Sequence, residues 1–328
     1  MPDSPMSLLD NIRLSNGSEG LKNYYCDLLQ INREKALEMI NDQQLQFGTL
    51  FLLRHEFTKA AALAELKPLY QKALEVTAKL VGTKTGQTEK AMRSGKEDTA
   101  SVLRWIIKTG YIEGDSDKDY EQLMEHAAAL LAISFKDTAA LPALADMIFA
   151  RYRNGGLVHE LVWSFFEARC PESLLFIAQR LNSPDSRDVE LSKRLLCFIP
   201  DIDKHSGNSG SGLYARVLFW LQENKPFLYY TGESLHLCSN PLHYAVSWVS
   251  KYLCLPVSAD NGEPLLTTNE LENELSIHFR KLPELLQHQL ADFSYMLYRK
   301  NIYQWNTWIR LDLGRQISLA TYETGGLA

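Results

Sequence analysis

The chain has 328 residues, of which 45% are hydrophobic and 23% charged, with a formal net charge of -6. That is globular composition, which argues against a disordered chain, and a small negative charge gives no general support to nucleic-acid binding, which draws on neutralised phosphates. Charge by segment is +1 over residues 1–113, -5 over 114–204 and -2 over 205–328, so no segment is strongly basic.

The five cysteines, Cys26, Cys170, Cys197, Cys238 and Cys254, are scattered and odd in number. They are expected to be reduced and mostly buried, in a cytosolic compartment. The first residues, Met1-Pro2-Asp3-Ser4, do not open a signal peptide, and no apolar run of about 18 residues is present.

Helical periodicity dominates. Asn32 has the character of an N-cap, with Glu34 in the first turn. Leu37, Ile40, Leu45, Leu50, Phe51 and Phe57 continue an apolar face behind it. A second helix is expected from Lys67-Pro68, where Pro68 suits a first turn, with Leu69, Ala73, Val76 and Leu80 as its stripe. Gly82 to Lys96 is a polar break and is expected to be a mobile loop. The next helix ends near Thr109, with Gly110 as its stop. An acidic turn at Gly114–Asp119 precedes a helix over about Lys118 to Ser134.

Residues 138–200 show a repeat. Leu141-Pro142-Ala143-Leu144 is followed by Val158-His159-Glu160-Leu161, then Pro171-Glu172-Ser173-Leu174-Leu175, Ser183-Pro184-Asp185 and Val189-Glu190-Leu191. The first helices are offset by 33 residues (Leu141 to Leu174) and the second by 31 (Val158 to Val189). This resembles two HEAT-type helical hairpins, closest to the short, phycobilisome-lyase-like subset. It departs from that pattern in carrying His159 and Glu190, not Arg, after the valines. The resemblance implies an all-α fold, an α-α superhelix or solenoid, with three parts: 1–113, repeats over 114–204, and an aromatic-rich helical part over 205–328.

The best boundary is Asp201–Gly212, rich in Gly and Ser. Beyond it aromatics are dense, and Leu286, Leu290, Phe293 and Leu297 share one helix face. Core packing is the expected role of that stripe, since the aromatics alternate with Leu, Val and Ser rather than with basic residues. Pro226–Leu237 is not helical in pattern, Leu255–Thr268 is a loop, and the tail from Thr321 is expected to fray.

Catalytic motifs fail on inspection. His55-Glu56 and His159-Glu160 lack the second His four residues on that a zinc-protease helix needs: Lys59 and Trp163 stand there. Gly207–Ser211 misses the nucleophile elbow by one residue, and Gly95-Lys96 is followed by Glu97, not Ser or Thr. His236, Cys238 and His243, with Cys254, form the one metal-like grouping, but its spacing fits no common frame. The expectation is no metal and no cofactor, with the cysteine in the core and the histidines partly exposed.

The function expected from the resemblance is a non-catalytic scaffold for a protein or peptide, with nucleic acid and membrane disfavoured. Candidate binding residues are Arg187, Glu190, Lys193 and Arg194 on one second helix, with Val189, Leu195 and Leu196 facing the core. His159 and Glu160 occupy the matching helix. Tyr229, Tyr230 and Glu233 form either an inter-helix turn packed by tyrosines or a ligand-contacting loop. The alternative is an enzyme on the same scaffold, a DNA-glycosylase-like protein or a small-molecule lyase, with Trp163 beside Glu160 and Glu167 as its nearest acid–aromatic pair.

Overall fold

The computed structural model describes residues 6–59, 63–81, 96–110, 118–203 and 210–325. Among them the chain is helical apart from one two-stranded antiparallel ladder and an isolated bridge. No described helix is long and apolar enough to cross a membrane. The chain divides into two compact units, Met1–Ala168 and Arg169–Ala328. That division falls inside the 138–200 segment, so each of the two hairpins read there belongs to its own unit.

The first unit holds α1 (Leu8–Ile31), α2 (Arg33–Ile40), α3 (Phe47–Lys59), α4 (Pro68–Val81), α5 (Lys96–Thr109), α6 (Lys118–Ala129), α7 (Leu141–Arg153) and α8 (His159–Glu167). The Asn32 side chain accepts the Lys35 amide, as its capping chemistry requires, and Pro68 opens α4. Helix α6 runs into a single π turn, Leu130–Ser134.

The sequence reading begins its first helix at Asn32, but a longer one precedes it. Ser7 and Asp10 form a capping box at the start of α1, and Gly17, at φ 72° and ψ -177°, breaks it in a conformation only glycine adopts readily. The Asp10 carboxylate is fully buried. It also accepts the Gln46 amide (3.1 Å) and the Thr49 hydroxyl (2.5 Å) at the start of α3. The core beside it is aromatic, with Phe51 against Tyr120 at 4.6 Å between centroids and Tyr70 against Trp105 at 5.3 Å.

The second unit holds α9 (Leu174–Ala178), α10 (Ser186–Leu195), α11 (Gly210–Asn224), β1 (Leu228–Tyr230), β2 (Tyr244–Val246), α12 (Trp248–Tyr252), α13 (Glu270–Phe279), α14 (Glu284–Lys300), α15 (Ile302–Trp308) and α16 (Leu313–Gly325). Its core gathers Tyr252, Phe279, Leu290, Phe293 and Trp308, with Tyr252 stacked on Phe279 at 4.5 Å. The apolar face read from Leu286 to Leu297 packs there through Leu290, Phe293 and Leu297. Two expectations are corrected. The Asp201–Gly212 boundary is helical from Gly210, and α16 runs on through Gly325 instead of fraying at Thr321. The expected loop at 82–96 falls outside the described residues up to position 95, as do the acidic turn at 114–117 and the linker at 204–209.

Candidate functional site

Helix α10 and the loop 231–243 between β1 and β2 come together in the second unit. Asp185 caps α10 by accepting the Arg187 amide, and Asp188, buried in its first turn, accepts the Ser183 hydroxyl at 2.8 Å. Leu195 and Leu196 are buried as expected, whereas Val189 is only half-buried. Arg187, Glu190 and Arg194 are exposed and Lys193 half-buried. Arg194 donates to the Ser239 carbonyl at 3.2 Å, and the Cys197 thiol, just past the helix, donates to the Pro241 carbonyl at 3.4 Å. Two of the read candidate groups, the charged strip and the loop containing Glu233, thus share one place.

The loop is tied at its base by side chains. The half-buried Glu233 carboxylate accepts the Leu242 amide at 2.8 Å. Thr231 donates its hydroxyl to the Leu242 carbonyl and accepts the Glu233 amide at 3.1 Å. His243 is 1% exposed and donates from Nδ1 to the Glu233 carbonyl at 3.2 Å. Burial holds its imidazole down to about 4, against the opposing effect of that backbone bond. Outward the loop presents Leu237, 76% exposed, and Leu242, 47% exposed.

The expected burial pattern is inverted here. Cys238 is exposed, and His243 is buried with its Nδ1 bonded to the Glu233 carbonyl. None of the five cysteines is bridged; Cys26, Cys170, Cys197 and Cys254 are half-buried rather than fully buried. Among the described residues no group of three or more His, Cys, Asp and Glu side chains is placed to hold a metal ion.

Tyr229 and Tyr230 lie under the loop. Tyr230 is buried, its amide donates to the Ala259 carbonyl at 2.8 Å, and the Arg169 guanidinium sits 5.3 Å from its ring centroid. Tyr229 packs against Gly262, where a β-carbon would meet its ring at 2.8 Å. The Tyr229 ring therefore packs on the segment that follows α12, while the Tyr230 ring packs on Tyr244 at 6.1 Å and on Arg169.

His159 and Glu160 are exposed in the first turn of α8, in the other unit. Near Glu160 stands a pair that the sequence reading missed. Arg151 of α7 donates to Glu125 of α6 at 2.6 Å. Burial pushes the Glu125 carboxyl up, with Arg151 opposing and the charges of Glu160 and Glu121 adding to the rise. Arg151 thus pairs with Glu125, whose carboxyl also feels the charges of Glu160 and Glu121.

A second missed residue is Lys251, which is 2% exposed in α12. Its ammonium donates to Asn224 Oδ1 at 2.7 Å and Asp292 Oδ1 at 2.5 Å, with the rings of Trp248 and Tyr295 at 5.4 and 6.0 Å. A lysine inside an aromatic run reads as a solvated side chain, so only Asn224 and Asp292, far off in sequence, reveal its role. It joins α11, α12 and α14.

Comparison of the chain with family models, with curated proteins and with solved structures finds no match. What the loop and α10 can do follows from their surface alone: an apolar projection beside a strip of mixed charge, both on a tied backbone.

Proposed function

We propose that the chain is a non-catalytic scaffold that binds a protein or peptide through the loop 231–243 and the neighbouring face of α10. The observation that carries this reading is the tied loop: Glu233, Thr231 and His243 fix its base, while Leu237 stands 76% exposed at its tip. An apolar side chain held out in this way loses little freedom on binding, which is the advantage of preorganisation. The exposed Arg187, Glu190 and Arg194 beside it would set specificity and association rate more than affinity.

The finer architecture we propose is a HEAT-type stack. Leu141 and Leu174, at matching places in the two hairpins, are both buried; of the matching second-helix pair, Val158 is buried and Val189 half-buried. Unbridged cysteines accord with a cytosolic location. The carboxylates of Glu121, Glu125 and Glu160, whose charges interact, would repel a polyanion, which weighs against the glycosylase-like alternative.

The test begins with a photo-crosslinking residue at position 237 to capture a partner, which is then purified and titrated against the chain. Leu237→Asp together with Leu242→Asp should weaken binding at least tenfold. Arg187→Glu should slow association, with the effect shrinking as salt rises. Equal affinity for the Leu237→Asp, Leu242→Asp chain would remove this face as the site.

A further inference from the structure

We propose that Cys197 and Cys238 form a thiol pair that a low-molecular-weight disulfide converts into an intrachain Cys197–Cys238 bond. The two sulfurs flank the Pro241–Leu242 peptide group, Cys197 directly on its carbonyl and Cys238 through the Glu233 carboxylate on its N–H side. Cys197 donates to the Pro241 carbonyl at 3.4 Å. Cys238 Sγ stands 3.9 Å from Glu233 Oε2, and that oxygen accepts the Leu242 N–H, the other polar atom of the same peptide group, at 2.8 Å. Arg194 holds the carbonyl of Ser239, the residue next to Cys238, at 3.2 Å. The end of α10 and the cysteine-bearing loop are therefore already in contact. Burial pushes the Cys197 thiol up, and negative charge on Asp203, Glu233 and Cys238 adds to it.

Accessibility sets the order of events. Cys238 is the exposed thiol of the five, and residues 236–240 are all exposed. The half-buried Cys254 and Cys170 thiols are engaged elsewhere, Cys254 with the Ser294 hydroxyl at 3.8 Å and Cys170 with the Glu172 carboxylate at 3.7 Å. In the first exchange Cys238, giving its proton to the Glu233 carboxylate, attacks one sulfur of the reagent. The reagent's S–S bond breaks and one thiolate leaves with that proton. In the second, Cys197 attacks the Cys238 sulfur of the mixed disulfide, that S–S bond breaks, and the second thiolate leaves with the Cys197 proton. Two electrons pass from the pair to the reagent. A disulfide needs α-carbons about 4.4–6.8 Å apart, so the bond requires Cys238 to leave Glu233 and the exposed residues 236–240 to shift while Thr231, Glu233 and His243 hold the base.

The experiment equilibrates the full chain in buffers of reduced and oxidised glutathione at a series of ratios, quenches with acid, alkylates, and maps the peptides by mass spectrometry. A peptide joining Cys197 to Cys238 should accumulate as the ratio becomes oxidising, while Cys26, Cys170 and Cys254 remain alkylated. Cys197→Ser should stop the reaction at glutathione on Cys238, raising that adduct at least fivefold over the unaltered chain. The proposal is overturned if the unaltered chain carries glutathione on Cys238 to the same extent as Cys197→Ser. A linked peptide that joins Cys238 to another cysteine, or to a second chain, overturns it as well. The unaltered chain alone decides the matter should the variant fail to fold.

Discussion

Lys251 and Asp292 meet at 2.5 Å although they differ widely in exposure, the lysine side chain being 3% accessible and the aspartate 60%. The ammonium extends from α12 to Asn224 at the end of α11 and to a largely exposed counter-ion on α14. Removing Asp292 leaves a buried cation with only Asn224 and two ring faces. Asp292→Ala should therefore cost about 2 kcal/mol in unfolding free energy. Lys251→Met removes the cation itself, and in that background Asp292→Ala should cost less than about 0.5 kcal/mol. Denaturant titration of the four forms measures the coupling. Equal costs in both backgrounds would mean that the two side chains do not support each other.

His243 makes stability depend on mild acid. Its imidazole is held down to about 4 in the folded chain, against about 6.5 when unfolded. Between those values the unfolded chain binds the extra proton, so stability should fall as pH is lowered from about 6.5 to 4, by about 3 kcal/mol at most. His243→Asn keeps a donor for the Glu233 carbonyl and should flatten this part of the profile. Thermal melts of both proteins from pH 4 to 7 provide the comparison.

Two glycines with positive φ should respond differently to alanine. Gly232 (φ 84°) has open space where a β-carbon would stand, so Gly232→Ala should cost only the backbone strain, about 1 kcal/mol. Gly262 (φ 74°) adds a 2.8 Å collision with the Tyr229 ring, so Gly262→Ala should cost at least about 2 kcal/mol. Tyr229→Ala should recover part of that excess.

The tip and the base of the loop should also separate. Leu237→Asp changes an exposed side chain and should move stability by no more than about 0.5 kcal/mol. Glu233→Ala leaves the Leu242 amide without its acceptor and should cost about 1–2 kcal/mol, with faster cleavage by protease within 235–242.

Much of the helix layout was legible because its signals are local. Asn32 before Glu34, Pro68 after Lys67, and Gly110 after Lys108 act within one turn, and each marks a helix end that is present in the fold. The Leu286–Leu297 face is legible for the same reason. Helix α1 was not, because Gly17 interrupts it and its apolar residues define no strong stripe.

The site was legible in part. Arg187, Glu190, Arg194 and Glu233 were marked from charge and turn chemistry, but their meeting rests on contacts to Ser239 and Pro241 that no spacing rule foretells. Cys238 and His243 exchanged their expected burial because the folded-back loop turns His243 onto the Glu233 carbonyl and leaves Cys238 outside, a contact that residue type alone does not foretell. Lys251 lay hidden among aromatics, of which Tyr252, Phe293 and Trp308 are buried as expected while Phe219 and Tyr303 are exposed.

The Asp10 carboxylate has a consequence for how the first unit opens. One anion serves the first turns of two helices, accepting from Ser7 at the head of α1 and from Gln46 and Thr49 at the head of α3. Neither end can fray alone without stripping the other of its acceptor. In hydrogen exchange the amides of Asp10 and Gln46 should therefore lose protection in a single cooperative step, although 36 residues of chain separate them. Asp10→Asn should split that step into two.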